Sequence, residues 1–295
     1  MSTLHHLGCS GGKDSTALLL WAIQESGLPR ESLRVTFCDT GNEDRMTYEH
    51  IQMLNDKVAL PADIIGGIET LKPEYDFFQL AFKKKRFPAR RAQFCTRWLK
   101  LYPTQAWIKA RMNEDHEVVV LNGKRTKESR ERHRTMAGTM ERAWSTFWGC
   151  EEWAPLMDWT IEDVLAIHKR YGVPLNPLYA LGAHRVGCFP CINCGKTEVR
   201  MTAKVRPEKI AQIAEAEHRI GEHRGDCDAV TFFQPSMTPK RFHDRTYKRK
   251  KDGKMMGAAS IENVVKWAQT DRGGKQYRIL FEDVPACWMN YGACE

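Results

Sequence analysis

The stretch Cys9-Ser10-Gly11-Gly12-Lys13-Asp14-Ser15 follows a short apolar run that ends at Leu7 and precedes the apolar segment 16–23. This order predicts a loop that joins a first strand to a first helix. At such a junction, backbone N–H groups and the positive end of the helix dipole face one small volume, which suits an anion. The glycines let the main chain approach a ligand closely, and Lys13 adds a positive charge. The stretch therefore predicts a phosphate site.

The loop differs from the Walker phosphate-binding pattern, because only two residues separate Ser10 from Lys13. A Ser/Gly turn without a ligand is the simpler alternative. That alternative explains the glycines but gives no reason for Lys13 and Ser15 at the start of a helix. We therefore expect the loop to bind the phosphates of an adenine nucleotide through Ser10, Gly11, Gly12, Lys13, Asp14 and Ser15.

The composition is that of a globular chain: 295 residues, of which 42% are hydrophobic, with a formal net charge of +8. No apolar run approaches the length that crosses a bilayer, so we expect no membrane association. The first residues lack a cationic start followed by an apolar core and a cleavage site, which favours a cytoplasmic location. Ten cysteines in such a chain indicate metal ligands or thiols rather than disulfides.

Two further buried strands are predicted at 33–38 and 117–121, and each runs into a polar loop that contains glycine. The first leads into Asp39-Thr40-Gly41 and the second into Asn122-Gly123. A shorter strand is predicted at 63–65. Because parallel strands deliver their carboxyl ends to one edge, the pattern predicts an α/β fold with a doubly wound, Rossmann-like, mostly parallel sheet and one ligand crevice.

The second half of the chain is less regular. Helices are predicted at 160–168 and 206–219, and prolines break the chain between them. We therefore divide the chain into two parts. The first is a nucleotide-binding α/β domain at 1–200 that includes a cysteine cluster, and the second is a smaller, helical, basic C-terminal part at 201–295.

The cysteine cluster Cys188-Phe189-Pro190-Cys191-Ile192-Asn193-Cys194 has the spacing C-x2-C-x2-C. Turns of this length bring thiolates together on one metal ion or cluster. An iron–sulfur cluster is our first interpretation, because three close cysteines with a distant fourth suit a cubane. A zinc ion is the second, and free thiols or a redox pair are the third.

Several motifs together resemble one family. The loop Ser10–Ser15 is similar to the PP-loop of the adenine nucleotide α-hydrolase group, and the later motifs are similar to its phosphoadenosine phosphosulfate (PAPS) reductase branch. These motifs are Asp39-Thr40-Gly41 with Thr47-Tyr48, Gly123-x-Arg125-x-x-Glu128-Ser129-x-x-Arg132, Pro155-Leu156 with Asp158-Trp159-Thr160, Asn176-Pro177-Leu178, and Gly187-Cys188-x-Pro190-Cys191. The resemblance covers about residues 4–195.

The resemblance implies a nucleotide site wider than the loop. It adds the residues Asp39, Thr40, Gly41, Gly123, Arg125, Glu128, Ser129 and Arg132. It also implies a [4Fe–4S] cluster, because cluster-bearing adenylylsulfate reductases hold one with an upstream cysteine pair and a downstream C-x2-C. Here Phe94-Cys95 offers a single upstream cysteine. The implied ligands are therefore Cys95, Cys188, Cys191 and Cys194.

The C-terminus differs from that of sulfonucleotide reductases, which carry a nucleophilic cysteine in a Glu-Cys-Gly-Leu-His tail. This chain has no such motif after Cys287 and ends in Cys294-Glu295. Cys294 could still reach a site from a tail, whereas the simpler interpretation is a core thiol at Cys287 and an incidental terminal thiol. The intact loop and the different tail favour an ATP pyrophosphatase that adenylylates an acceptor for sulfur incorporation.

In that chemistry an acceptor oxygen attacks the α-phosphorus of ATP and pyrophosphate leaves. Backbone N–H groups of the loop, its lysine and a bound Mg²⁺ would together stabilise the pyrophosphate. Asp14 or Asp39 would hold the Mg²⁺ in place. Arginines after the fourth strand would neutralise phosphate or acceptor charge, and a solvated helix face is their alternative role. The catalytic candidates are Lys13, Asp14, Asp39 and Arg125.

Two basic segments carry interleaved aromatic residues, which suits contact with a nucleic-acid backbone and stacking on bases. A solvated lysine-rich loop is the alternative for either segment alone. The candidate nucleic-acid contacts are Lys83, Lys84, Lys85, Arg86, Arg90, Arg91, Lys248, Arg249, Lys250 and Lys251, and the second segment continues back through Arg245 to Lys240.

The resemblance then lies nearest to the ATP pyrophosphatase of bacterial DNA phosphorothioation, which works with a cysteine desulfurase as sulfur donor. DNA is therefore the expected acceptor, with RNA second. Sulfonucleotide reduction and transfer-RNA thiolation are the alternatives among related enzymes. The alternative that is not an enzyme of this kind is a nucleic-acid-binding protein with a degenerate nucleotide pocket. The sequence does not determine the oligomeric state, and a homodimer is one arrangement that it permits.

Overall fold

The computed structural model describes residues 2–128, 133–134, 136, 138–249 and 251–271. Five residues that the sequence singles out lie outside the described residues: Ser129, Arg132, Lys250, Cys287 and Cys294.

A six-stranded sheet is the centre of the structure. Its strands are β1 (Ser2–Gly8), β2 (Leu33–Cys38), β3 (Ile68–Leu71), β4 (His116–Leu121), β5 (Arg142–Ser145) and β6 (Cys150–Trp153). They lie in the order β3-β2-β1-β4-β6-β5, and all neighbours are parallel except the antiparallel pair β5 and β6. The strand order reverses between β1 and β4, which is where such sheets bind ligands at their carboxyl edge. The predicted α/β fold with a mostly parallel sheet is confirmed.

Helices connect the strands and build the C-terminal part. They are α1 (Lys13–Gln24), α2 (Arg45–Leu54), α3 (Phe77–Lys83), α4 (Phe94–Thr96), α5 (Tyr102–Asn113), α6 (Ile161–Arg170), α7 (Lys196–Val205), α8 (Pro207–Arg224) and α9 (Ile261–Ala268). The predicted helix after Trp159 begins with a capping box, which the side chains of Thr160 and Asp163 form.

The helices cover both faces of the sheet. On one face α1, α2 and α6 bury Leu7, Val35 and Leu121 in the largest hydrophobic cluster. On the other face α5 packs its Trp107 against Val120. Because successive side chains of a strand point to opposite faces, both faces of β4 are apolar and the strand is buried between two helical layers.

A second hydrophobic cluster joins the C-terminal helices to an earlier part of the chain. Ile213 of α8 and Val264 of α9 pack in this cluster together with Phe77, Phe87 and Phe94. A hairpin of β7 (Arg245–Lys248) and β8 (Met255–Ala258) also belongs to the C-terminal part. The segment between β3 and α5 therefore packs with the C-terminal helices. The division at residue 200 stays a prediction.

The third strand lies later than the sequence predicts, at Ile68–Leu71 instead of 63–65. Leu60–Ala62 forms a 3₁₀ turn, and Asp63 has a left-handed backbone with a φ of 57°. Ile64 is only 2% exposed, so its apolar character reflects burial in a turn and not a strand. No helix in the described ranges is both long and apolar enough to cross a membrane.

Candidate nucleotide-binding site

The phosphate loop, residues 9–15, leads from β1 into α1 as the sequence predicts. The backbone N–H of Cys9 donates to Thr36 O at 2.7 Å, which ties the loop to β2. The Ser15 hydroxyl donates to Gly12 O at 3.0 Å and accepts from the N–H of Ser10 at 3.2 Å. Gly11 has a φ of 71°, a conformation that favours glycine. The loop is therefore shaped by its own hydrogen bonds.

Lys13 is the first residue of α1, and its side chain is almost fully buried. Its Nζ lies 3.4 Å from Asp14 Oδ2 and 5.3 Å from the ring centre of Tyr179. Burial acts to lower the pKa of Lys13, but Tyr179 and Asp14 outweigh it and the pKa is raised. The loop therefore carries a fixed ammonium charge at neutral pH.

Arg125 holds the other oxygen of Asp14. Its Nε donates to Asp14 Oδ1 at 2.6 Å and its Nη1 donates to Trp159 O at 3.2 Å, with the side chain 2% exposed. Burial acts to raise the pKa of Asp14, but the charges of Lys13 and Arg125 hold it below its ordinary value. Asp14 therefore positions the ammonium of Lys13 directly, and Arg125 acts on the loop through Asp14.

Two residues that the motifs did not assign to the site also fix the loop. The N–H of Lys13 donates to the hydroxyl of Tyr179 at 3.1 Å. The Nε2 of His168 lies 2.9 Å from Lys13 O and its Nδ1 lies 3.1 Å from Val173 O. Burial lowers the pKa of His168, so a neutral ring donates to one of these carbonyls. In the sequence, His168 has only the signal of a residue on the buried face of a helix.

The loop after β2 brings Asp39 to the same sheet edge. Asp39 Oδ1 accepts from the N–H of Gly41 at 2.9 Å and from the hydroxyl of Tyr48 at 2.7 Å. The carboxylate of Glu43 accepts two hydrogen bonds from Thr40, one from the hydroxyl at 2.7 Å and one from the backbone N–H at 3.0 Å. Burial, followed by the hydrogen bond to Asp39, raises the pKa of Tyr48. The carboxylate of Asp39 is thus held in place by groups of its own loop and of α2.

The third predicted loop also reaches the phosphate loop. A Cβ on Gly123 would lie 3.3 Å from Asp14 O, so the two loops are in close contact and a side chain at Gly123 would be crowded. Glu128 lies in the short 3₁₀ helix Thr126–Glu128 that follows Arg125. Residues from the first, second and fourth strand ends are therefore brought together, as predicted.

The cysteine segment, residues 188–194, lies against the loop after β2. The thiol of Cys188 is 3.4 Å from the hydroxyl of Thr40, and the N–H of Phe189 donates to Asn42 O at 2.6 Å. Arg206, which joins α7 to α8, pairs with the buried carboxylate of Asp44 through two bonds of 2.8 and 3.2 Å. The C-terminal part is therefore anchored directly to the loop that carries Asp39.

A cavity of about 240 Å³ opens beside the phosphate loop at the carboxyl ends of β1, β2 and β4. Ser10 and Gly123 line it where the cavity meets the loop. Its apolar lining is Phe37, Leu101, Val120, Leu121 and Trp148, and its polar lining includes His6, Thr36, Cys38, Thr104, Lys100 and Glu43. An apolar cavity with a few polar groups next to an anion site suits a planar base joined to a phosphate chain.

Lys100 connects this cavity to the cysteine segment. It lines the cavity together with Gly187, and the Cys188 thiol and the Glu43 carboxylate raise its pKa against the effect of burial. The thiol of Cys38 lies 3.4 Å from the hydroxyl of Thr104 on the same wall. A positive charge therefore lines the cavity close to the Cys188 thiol.

The four predicted ligand cysteines do not form a metal site in this arrangement. Burial, followed by the nearby Cys188 and Cys191, raises the pKa of the Cys95 thiol to about 11. Cys194 is 8% exposed and packs in the second hydrophobic cluster with Val199. Within the part of the chain that the structure describes, no three His, Cys, Asp or Glu side chains converge as ligands of a metal ion. Cys95 nevertheless lies near Cys188 and Cys191, so a bound metal or cluster stays a prediction from the cysteine spacing and enters no chemical step of the proposed reaction.

The first basic segment is built on pairs of cations and aromatic rings. Lys83 lies 4.1 Å from the ring centre of Tyr75, and Lys84 lies 4.3 Å from that of Trp98. The exposed basic residues here are Lys83, Lys85, Arg86, Arg90 and Arg91. The segment therefore offers positive charge to solvent while aromatic rings hold some of the side chains in place.

The second basic segment is only partly available. Lys248 and Lys251 are exposed, whereas Arg249 is paired with Asp252. Arg245 belongs to the interior, because its Nη2 lies 3.0 Å from the buried carboxylate of Glu217. The sequence grouped Arg245 with the surface charges, whereas in the structure it is half-buried and paired with Glu217.

The phosphoadenosine phosphosulfate reductase domain family matches residues 5–194. An uncharacterised 37.8 kDa protein from the gpa 5′ region of Escherichia phage 186 is 32% identical over 339 residues, which cover 100% of this chain and 97% of that protein. Adenosine 5′-phosphosulfate reductase of Burkholderia cepacia is 41% identical over 66 residues, 22% of this chain and 26% of that enzyme.

A crystal structure of PAPS reductase from Candida auris, a phosphate complex, aligns with a TM-score of 0.46 and 18% identity. The alignment covers 63% of this chain and 82% of that one. The family match takes in the phosphate loop, the loops after β2 and β4, and the cysteine segment. Because this match spans more than half of the chain, the protein belongs to the phosphoadenosine phosphosulfate reductase domain family and is an enzyme of the PP-loop type.

Proposed function

We propose that this enzyme is an ATP pyrophosphatase that adenylylates an acceptor for sulfur incorporation, and that the acceptor is the DNA backbone. The observation that carries the proposal is the buried ammonium of Lys13 at the start of α1, beside a cavity of about 240 Å³. The helix start and the ammonium suit a phosphate chain, and the cavity suits a base. ATP joins both groups in one molecule.

The reaction is a displacement at phosphorus. An acceptor oxygen forms a bond to the α-phosphorus, the bond from that phosphorus to the bridging oxygen breaks, and pyrophosphate leaves with the electron pair. Loop N–H groups and Lys13 stabilise the charge that develops on the pyrophosphate. Asp14 and Tyr179 hold the ammonium from two sides, so Lys13 needs little reorganisation during the reaction.

Asp39 is the better of the two acidic candidates for holding Mg²⁺. Asp14 uses Oδ1 for Arg125 and Oδ2 for Lys13, whereas the hydrogen bonds that the described residues make to Asp39 fall on Oδ1. Carboxylate oxygens are ligands that Mg²⁺ prefers. Bound there, Mg²⁺ would neutralise phosphate charge as the bond breaks.

The exposed basic residues at the end of α3 and after it support a nucleic-acid acceptor, because a cluster of exposed cations suits contact with a phosphate backbone. The combined variant Lys83→Ala, Lys85→Ala and Arg86→Ala should weaken binding of a DNA oligonucleotide and lower its salt dependence. Lys57→Ala, which removes an exposed lysine from the turn after α2, is the matched control. Equal salt slopes in the triple variant and the control would remove this surface from the proposal.

Sulfonucleotide reduction is the second candidate, and the similarity to adenosine 5′-phosphosulfate reductase over 66 residues favours it. The two functions are separated by measuring pyrophosphate release from ATP in the presence of DNA, transfer RNA or neither, beside sulfite release from PAPS and adenylylsulfate. We expect pyrophosphate release that DNA stimulates. Sulfite without pyrophosphate would favour the reductase, and stimulation by transfer RNA alone would favour RNA thiolation.

The sulfur source and the cysteines need a separate test. We propose a cysteine desulfurase as donor, which should support phosphorothioate formation in DNA when it is added with cysteine. An iron–sulfur cluster remains a prediction from the cysteine spacing. Anaerobically purified protein would then absorb in the visible range, and Cys191→Ser would lose that absorbance. A colourless protein with stoichiometric zinc, or with neither metal, would contradict the cluster.

A further inference from the structure

Arg206 lies between α7 and α8, in the part of the chain that follows the family match at 5–194. It comes directly after Val205, the last residue of α7, and directly before Pro207, the first residue of α8. From this junction its side chain reaches back across 162 residues of sequence to Asp44, in the loop after β2. The contact therefore joins the C-terminal part to one of the loops that build the nucleotide site.

The guanidinium of Arg206 forms a two-point ion pair with Asp44. Its Nε donates to Oδ2 at 2.8 Å and its Nη2 donates to Oδ1 at 3.2 Å. The side chain of Asp44 is 1% exposed, and that of Arg206 is 24% exposed. The exposed carboxylate of Glu208 is farther from Arg206, at 4.0 Å. A buried carboxylate is stable only with a compensating charge, so the position of Asp44 depends on Arg206.

Asp44 in turn sets the start of α2. Its Oδ1 accepts from the N–H of Met46 at 2.9 Å and so caps the helix. Its backbone oxygen accepts from the N–H of Thr47 at 2.8 Å and from the N–H of Tyr48 at 3.4 Å. The first turn of α2, which carries Tyr48, is therefore built on Asp44.

Tyr48 completes the path to Asp39. Its hydroxyl donates to Asp39 Oδ1 at 2.7 Å. Lys209 of α8 adds a second contact to the same loop, because its Nζ lies 3.3 Å from Oδ1 of the fully buried Asn42. Two cations of the C-terminal part thus hold the loop after β2, one at Asn42 and one at Asp44.

We propose that Arg206 is a positioning residue of the active site, and that it fixes Asp39 for the reaction through Asp44 and Tyr48. The inference rests on the proposed function, in which Asp39 takes part in the reaction of ATP. It gives the C-terminal part a role in the reaction, although the motifs of the nucleotide site all precede that part of the chain. Arg206 acts through other residues and is not itself a catalytic residue.

The test is a double-mutant cycle between Arg206→Ala and Tyr48→Phe, measured as kcat and KM for pyrophosphate release from ATP at saturating Mg²⁺. Each single substitution should lower kcat about tenfold, because each loosens the same carboxylate. The double variant should also lose only about tenfold, since both substitutions act through one contact with Asp39, whereas independent effects would multiply to about 100-fold.

The KM for ATP should stay within about twofold of the wild-type value in all three variants, because Tyr179 and His168 hold the phosphate loop and both precede the C-terminal part. Urea denaturation checks that each variant is folded under the assay conditions. A loss of about 100-fold in the double variant, or a wild-type kcat in Arg206→Ala, would overturn the inference.

Arg219→Ala is the matched control, because Arg219 lies on α8 and pairs with Glu215 at the surface. This variant should keep the wild-type kcat. If Arg206→Ala does not fold, Asp44→Asn takes its place in the cycle, since the amide oxygen can still cap α2 while the ion pair is lost. Asp44→Asn should then give the same non-additive result with Tyr48→Phe, and losses that multiply would overturn the inference.

A readout without catalysis separates this inference from the function on which it rests. In protein labelled with ¹³C at the aspartate carboxyl groups, Arg206→Ala and Tyr48→Phe should each shift the Asp39 resonance, and Arg219→Ala should not. A wild type that shows this pattern but releases no pyrophosphate would overturn the proposed function and keep the positioning role. Pyrophosphate release together with an Asp39 resonance that Arg206→Ala leaves unchanged would overturn the positioning role alone.

Discussion

The phosphate loop and the cysteine segment both come from short motifs, but the protein holds them in different ways. In the loop, the side chain of Lys13 is fixed by Asp14 and Tyr179, and its main chain is fixed by His168. The cysteine segment is held by the bond from Phe189 N to Asn42 O and by the contact of the Cys188 thiol with Thr40, and among the described residues no three of its side chains converge as ligands of a metal ion. Motif spacing thus sets the shape of the main chain, whereas a working site also needs partners from distant segments.

The largest effect should follow from removing the loop ammonium. Lys13→Ala is expected to lower the rate of pyrophosphate release by about 100-fold or more, because the charge on the leaving group loses a preorganised donor. Lys57→Ala, at an exposed lysine, should keep the wild-type rate. A rate for Lys13→Ala within threefold of wild type would show that the loop is not the reacting site.

Removing Arg125 should lower stability. Arg125→Ala leaves the carboxylate of Asp14 without its closest partner, and we expect the free energy of unfolding to fall by about 3 kcal/mol. Urea denaturation measures this loss. Arg45→Ala breaks an exposed pair with Glu49 and should cost less than about 0.5 kcal/mol. Similar losses in the two variants would mean that the buried pair does not hold the loop.

A pH effect tests the C-terminal part, which lies outside both compared regions. Glu217 accepts from the N–H groups of Phe232 and Ile261, and burial raises its pKa to about 7 although Arg245 opposes this shift. The folded chain then binds an extra proton between about pH 4.5 and 7, so the free energy of unfolding decreases as pH rises through that range.

Glu217→Gln removes this titration. Between about pH 5 and 8 the wild type should lose about 2 kcal/mol of unfolding free energy relative to the variant, as measured by urea denaturation at each pH. Parallel stability curves for the two proteins would contradict the raised pKa.

The smallest effect is expected at Tyr179. Tyr179→Phe removes one hydrogen-bond acceptor from the N–H of Lys13, a loss of about 1 kcal/mol that should slow pyrophosphate release about fivefold. Tyr171→Phe, whose hydroxyl donates to Glu25 at the surface, is the control. If the two substitutions act alike, Tyr179 does not orient the loop.

Local signals in the sequence predicted the strands that carry the site. Strands β1, β2 and β4 have apolar runs that end in polar, glycine-bearing loops, and the parallel sheet brings these ends together. The roles of His168 and Tyr179 could not be predicted, because the contacts of each with Lys13 cross more than 150 residues. Ile64 misled the strand prediction, since its burial in a turn has the same local signal as a strand.

The packing of the cysteines also could not be predicted from the sequence. The spacing predicts converging thiols, and in the structure Cys95, Cys191 and Cys194 all pack in a hydrophobic cluster that α3, α8 and α9 build from three separate parts of the chain. Such a cluster is set by tertiary packing, which motif spacing does not report. The same limit applies to Arg245 of β7, whose buried partner Glu217 lies on helix α8.

The most direct test of the central claim is positional isotope exchange in ATP that carries ¹⁸O in the bridge between the α- and β-phosphorus. Reversible cleavage of that bond moves the label from the bridge to a non-bridging position of the β-phosphate. We predict that wild-type enzyme with DNA moves the label and that Lys13→Ala does not. A label that stays in the bridge while the same enzyme releases sulfite from PAPS would contradict the account.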